Sequence, residues 1–185
     1  MKLLTNIAQI IIIVIIAVLF SYPTIVAAQA DDVQAAGSNA ANIVGGTPAD
    51  QGEWGWQVLV RPGNYLCGGS LIAEDWVVTA AHCVFNSQDE LIAAETIHVT
   101  VGETYRGTLE GTEQQIDVDA IFAHAAYDHS TNSNDIALLH LVKHVVMNKA
   151  IAIIPLLTNE QLDLVAPGKL ATVTGWGTTK EGGYA

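Results

Sequence analysis

The sequence predicts an all-β fold, and three observations carry that prediction. Short apolar runs recur between turn residues from Ile43 onward, several alternate polar and apolar residues with a period of two, and helical periodicity is nearly absent. Many short strands at this spacing fit a β-barrel or a sandwich.

The elements follow in order. Gln57-Val58-Leu59-Val60 runs into Arg61-Pro62-Gly63-Asn64, where Pro and Gly suit a turn. Leu66 to Ile72 and Trp76 to Thr79 flank Ala73-Glu74-Asp75, which predicts a hairpin. Thr96 to Val101 alternates and stops at Gly102, and Gln115 to Phe122 alternates again. Ile136 to Val142 is apolar apart from His140, and Lys169 to Trp176 reads as one more strand. Helix is confined to single turns over Ala80 to Phe85 and Thr158 to Leu164.

The N-terminus is a different kind of sequence. Met1-Lys2 gives a positive start, Ile7 to Phe20 is apolar apart from Gln9, and Ala28-Gln29-Ala30 offers small residues where a signal peptidase reads. Residues 1–30 are therefore expected to be a signal peptide cleaved after Ala30, and the protein to be secreted into the extracellular space. The apolar run falls short of the ~20 residues that span a bilayer. A membrane enters this reading only through that segment, if it stays uncleaved. Residues 31–42 are small, polar and patternless, and read as a linker or short pro-segment. The folded domain is expected over 43–185.

Seven Lys and Arg stand against 19 Asp and Glu, for a net charge of -12. A chain so poor in cations cannot neutralise phosphates, so nucleic acid is excluded as a partner. Cys67 and Cys83 are the only cysteines. In an exported chain two thiols that can meet usually form a disulfide, which here would stabilise by about 3 kcal/mol in the chain-entropy view.

Four motifs carry chemistry. In order they are Ile43-Val44-Gly45-Gly46, Thr79-Ala80-Ala81-His82-Cys83, Asn134-Asp135-Ile136-Ala137-Leu138-Leu139 and Gly175-Trp176-Gly177, with Cys67-Gly68-Gly69-Ser70-Leu71 in support. Together and in this order they resemble the trypsin-like (chymotrypsin-fold) serine proteases, from Ile43 to Ala185. The resemblance implies a double β-barrel, its first barrel complete here and its second only begun. It implies a secreted serine endopeptidase that hydrolyses peptide bonds in protein or peptide substrates. His82 resembles the general base and Asp135 the carboxylate that orients it. The base chemistry suits histidine, whose ring takes and returns a proton near neutral pH.

In the family, cleavage before Ile-Val-Gly-Gly frees an α-amino group that pairs with an aspartate beside the nucleophile, making Ile43 the activation N-terminus. Activation cleavage in the family usually follows Arg or Lys; Asn42 stands here instead, which implies another activating protease or autoprocessing after Asn42. The chemistry needs no cofactor. A structural calcium ion is implied by the likeness of residues 102–113 to a trypsin calcium loop, with the side chains of Glu103, Glu110 and Glu113 and the carbonyls of Tyr105 and Thr108 as oxygen ligands. The other five histidines (98, 124, 129, 140 and 144) show no spacing that makes a zinc site.

One part of the pattern is missing. The family's nucleophilic serine follows the aspartate and the Gly-Trp-Gly motif, whereas Ser133 is the last serine of this sequence. With that segment go the oxyanion-hole amides and the specificity pocket. The 185 residues alone are therefore expected to be inactive. The alternative reading is a non-catalytic protease homologue that acts as a secreted binding module.

Overall fold

The computed structural model describes residues 46–177. The signal segment, the pro-segment, Ile43 and residues 178–185 lie outside the described residues. Six strands form: β1 (Gln57–Pro62), β2 (Cys67–Ala73), β3 (Trp76–Thr79), β4 (Ile97–Val101), β5 (Gln114–Ala123) and β6 (Ala137–Leu141). They pair antiparallel in the order β1-β2-β3-β6-β5-β4 and close into a barrel. Closure removes every sheet edge, which suits strands this short.

The alternation read from the sequence is the reason these segments can close. In β4, Ile97, Val99 and Val101 are buried while His98 and Thr100 are only partly so. In β6, Ala137, Leu139 and Leu141 point in and Leu138 and His140 lie between them. These residues meet Val58, Val60, Leu71, Val77, Ile116 and Val118 in one core. A barrel this small has room for nothing but side chains inside. Gly69 is required where β2 crosses the sheet, because a Cβ there would lie 2.8 Å from the Val77 side chain and 2.9 Å from the Val78 carbonyl.

The hairpin expected around Glu74 is β2–β3. The two helical stretches are 3-10 turns, at Ala81–Val84 and Asn159–Val165. Lys169 to Trp176 differs from expectation: it is irregular, and among the described residues no strand follows Leu141. A strand persists only when its N–H and C=O groups have a ladder to join, and no neighbouring strand here offers one. Its apolar pattern consequently stays in water, with Leu170 and Val173 exposed. Trp176 still ties the segment down, since its Nε1 donates to the Thr104 carbonyl at 2.9 Å.

Candidate functional site

His82 sits in the 3-10 turn that follows β3, between the buried side chains of Ala81 and Cys83. Two features hold that turn. Thr79, the last residue of β3, donates its hydroxyl to the Gly68 carbonyl at 2.7 Å. Cys83 is joined by a disulfide to Cys67, the first residue of β2. The histidine's own segment is thus fastened to the neighbouring strand while its ring projects outward, its side chain 58% exposed.

Asp135 arrives two residues before β6, the strand that pairs with β3 and sets Ala137 opposite Thr79. The loop that delivers it is tightly folded. Asn132 and Asn134 both have positive φ, 52° and 57°, a conformation that Asn tolerates better than most residues. Asn134 anchors itself by donating Nδ2–H to the Ala126 carbonyl at 2.8 Å. Beyond Asp135 the chain enters the core at Ala137, so the carboxylate is fixed by strand packing on one side and turn geometry on the other.

The two residues meet at two points. Asp135 Oδ1 accepts the backbone N–H of His82 at 2.8 Å, and Oδ2 lies 2.7 Å from the ring Nδ1. Partial burial pushes the Asp135 carboxyl up. The His82 ring and backbone hydrogen bonds, the histidine's charge and the Ala81 N–H outweigh this and leave it below the ordinary carboxylate range. Asp135 therefore stays ionised at neutral pH and keeps the Nδ1 proton toward itself, which leaves Nε2 as the basic nitrogen. Among the described residues the ring bonds to nothing but Asp135. The arrangement can orient an imidazole and stabilise its protonated form, which is the service a general base requires.

An aromatic group not singled out from the sequence lies alongside. The rings of Phe85, Tyr127 and His129 are tilted or edge-on to one another, with centroids 4.5 to 5.5 Å apart. Desolvation pushes the Tyr127 hydroxyl pKa up, helped by the charges of Asp135, Asp89 and Asp128, so the phenol stays neutral beside the carboxylate. No sequence motif marks this group, because Phe85 comes from the turn after His82 and the other two from the loop before Asp135.

The loop at 102–113 starts at Gly102, whose φ of 76° and close approach to the Thr112 carbonyl exclude a side chain. Its donors are oxygens only, the chemistry calcium prefers. The carboxylates also brace the loop itself. Glu110 accepts the N–H groups of Thr104 and Tyr105 at 2.6 and 3.1 Å, Glu113 those of Glu110 and Thr112, and Glu103 that of Gly107. The three carboxylates are not gathered together: the sole trio of such ligand atoms within 4.8 Å of one another among the described residues is Cys67, His82 and Cys83, whose sulfurs are already joined.

Comparison with known proteins falls on the same residues. Residues 43–185 match the family described as Trypsin. The chain is 37% identical over 137 residues to Trypsin-3 of Homo sapiens, covering 74% of this chain and 41% of that protein. It is 38% identical over 141 residues to Serine protease 1 of Homo sapiens, covering 76% of this chain and 52% of the relative. The chain spans about half the length of these relatives.

Proposed function

The chain belongs to the trypsin family, and from that membership we propose that it supplies the general base and the orienting acid of a secreted serine-type endopeptidase acting on protein or peptide substrates. The observation that carries the proposal is the two-point hold of Asp135 on His82. His82 would take the proton of a serine hydroxyl through Nε2 and return it to the leaving amine. Asp135 would fix the tautomer and stabilise the imidazolium without being protonated itself. Both nitrogens then have one task each, which a binding module would not need.

Three further parts belong to this reading. The leader 1–30 directs export; among the described residues no helix is long and apolar enough to cross a membrane. Cleavage after Asn42 frees the Ile43 amine, and N-terminal sequencing of the secreted protein tests it. A structural calcium is held in the loop by the side chains of Glu103, Glu110 and Glu113 and the carbonyls of Tyr105 and Thr108.

The 185 residues contain no serine after Ser133, so we expect this chain alone not to turn over peptide esters. The deciding experiment expresses the complete reading frame of the gene, with His82 intact and as His82→Ala. Hydrolysis that drops by about 10³-fold or more in the variant is the expected result. A frame that stops at the codon for Ala185, with no hydrolysis, favours the non-catalytic binding homologue instead.

A further inference from the structure

Away from the His82 pair, two histidines and three carboxylates converge at the turn between β2 and β3. His140 on β6 places Nε2 3.7 Å from Asp75 Oδ2, and His144 places its Nε2 3.4 Å from the same oxygen. The remaining nitrogen of each ring is also committed. His140 Nδ1 lies 2.6 Å from Asp119 Oδ1, and His144 Nδ1 lies 3.2 Å from Glu74 Oε2. Each imidazole thus has a carboxylate behind it and turns its other nitrogen toward one shared oxygen.

From this arrangement we propose a surface site for a borderline divalent metal of the Zn²⁺ class, with His140 Nε2, His144 Nε2 and Asp75 Oδ2 as ligands and water completing a tetrahedron. Zinc bonds of about 2.0–2.2 Å to N and O put tetrahedral ligands about 3.3 Å apart, close to the two separations found. A carboxylate on the far nitrogen of a ligating histidine fixes its tautomer and raises its basicity, and Asp119 and Glu74 are placed to do this. Zinc, unlike calcium, favours imidazole nitrogen.

The framework is built rather than incidental. Asp119 is the extra residue of a β-bulge, since Val118 pairs with Leu141 and Ala120 with His140. A bulge re-aims a side chain, here toward His140. The Asp75 and Glu74 carbonyls accept the N–H groups of Leu141 and Val145 at 2.9 and 2.7 Å. Leu141 and Val145 are buried on either side of His144, so the turn and the segment after β6 are locked together. His140 is held edge-on against Trp76, ring centroids 4.8 Å apart. The three ligand atoms are not all within 4.8 Å of one another, so binding draws the two Nε2 atoms together. His144 supplies that movement, its side chain being 68% exposed.

The test uses the full chain, stripped of metal and saturated with calcium. Isothermal titration with Zn²⁺ should give one site per chain, and Cu²⁺ should quench Trp76 fluorescence, an effect absent from Trp76→Phe and reversed by excess Zn²⁺. Asp75→Asn and His144→Ala should each weaken Zn²⁺ by about 10-fold or more, and Asp119→Asn by about 10-fold through the ring it supports. His98→Ala, which removes a separate His98–Asp117 pair, should change nothing. His144→Ala alters an exposed side chain and should leave the urea midpoint in place, which separates loss of metal from loss of fold. No Zn²⁺ binding to the wild-type chain, or binding that survives both Asp75→Asn and His144→Ala, overturns the proposal.

Discussion

Asp135 grips His82 by its backbone and its ring together, Oδ1 on the N–H at 2.8 Å and Oδ2 on Nδ1 at 2.7 Å. An asparagine can satisfy only one of these with its oxygen. In Asp135→Asn either the amide NH₂ faces Nδ1, which forces the ring proton to Nε2, or the backbone N–H is lost. Hydrogen bonds to a charged group contribute about 1.5–3 kcal/mol, and Asp135 is only partly buried. The urea midpoint should therefore fall by the equivalent of about 1–2 kcal/mol. The downfield proton resonance of the Nδ1–H should vanish; its persistence in the variant would show that the carboxylate does not set the tautomer.

Acid should unfold the domain for a related reason. The carboxyls of Asp135, Asp128 and Glu113 are all held below their ordinary values. For Asp135 and Glu113, burial pushes upward and hydrogen bonds prevail; for Asp128, bonds from the Ser130 hydroxyl and N–H lead. A carboxyl whose folded pKa is depressed contributes stability above its unfolded value, about 3.9 for Asp and 4.3 for Glu. That contribution is lost as pH falls through the folded value. For these three groups the urea midpoint should be level from pH 7 to about 5 and decline below about 4.5. Glu113→Gln should make the decline shallower. An unchanged slope in that variant would contradict the loop's hydrogen bonding.

The disulfide from Cys67 to Cys83 closes a short loop between β2 and the turn that carries His82. Replacing both cysteines by alanine should cost about 3 kcal/mol by the loop-closure argument. The loss should appear locally too, as faster amide exchange at His82 and Cys83. A global loss with protected His82 would mean that Thr79 and the core hold the turn unaided.

Much of this was legible in the sequence, and the reason is period. The alternation in 97–101 and 115–118 dictates which face of a strand goes inward, so strand positions followed directly. His82 and Asp135 were legible because each sits in a run of neighbours with a characteristic pattern. The strand expected at 169–176 failed because alternation reports a face to bury, not a partner to pair with. The His140–Asp75–His144 group was invisible for another reason: β3 and β6 are adjacent in the barrel yet some sixty residues apart in sequence, and spacing among histidines alone could not supply the carboxylates.

The calcium reading predicts a ligand-dependent melting temperature. A ligand that binds only the folded chain stabilises by about 2.7 kcal/mol when present at a hundred times its dissociation constant. Millimolar Ca²⁺ should raise the melting temperature by several degrees over chelator. Glu103→Gln together with Glu113→Gln should abolish the increment. A melting temperature indifferent to both calcium and chelator would show that the carboxylate–backbone bonds hold this loop by themselves.

The contrast between the barrel and the segment that follows it gives the last expectation. Leu139 is fully buried, opposite Val77 on β3 and Ile121 on β5. Leu139→Ala removes buried methyl groups and leaves a cavity in a wall shared by three strands, a change that typically costs about 2–5 kcal/mol. Leu170 is fully exposed, and Leu170→Ser should alter stability by no more than about 0.5 kcal/mol. Urea unfolding of the two variants beside the parent chain decides the matter. Comparable losses would mean that residues 169–176 are packed and paired after all, and that the barrel is not the unit that carries the stability.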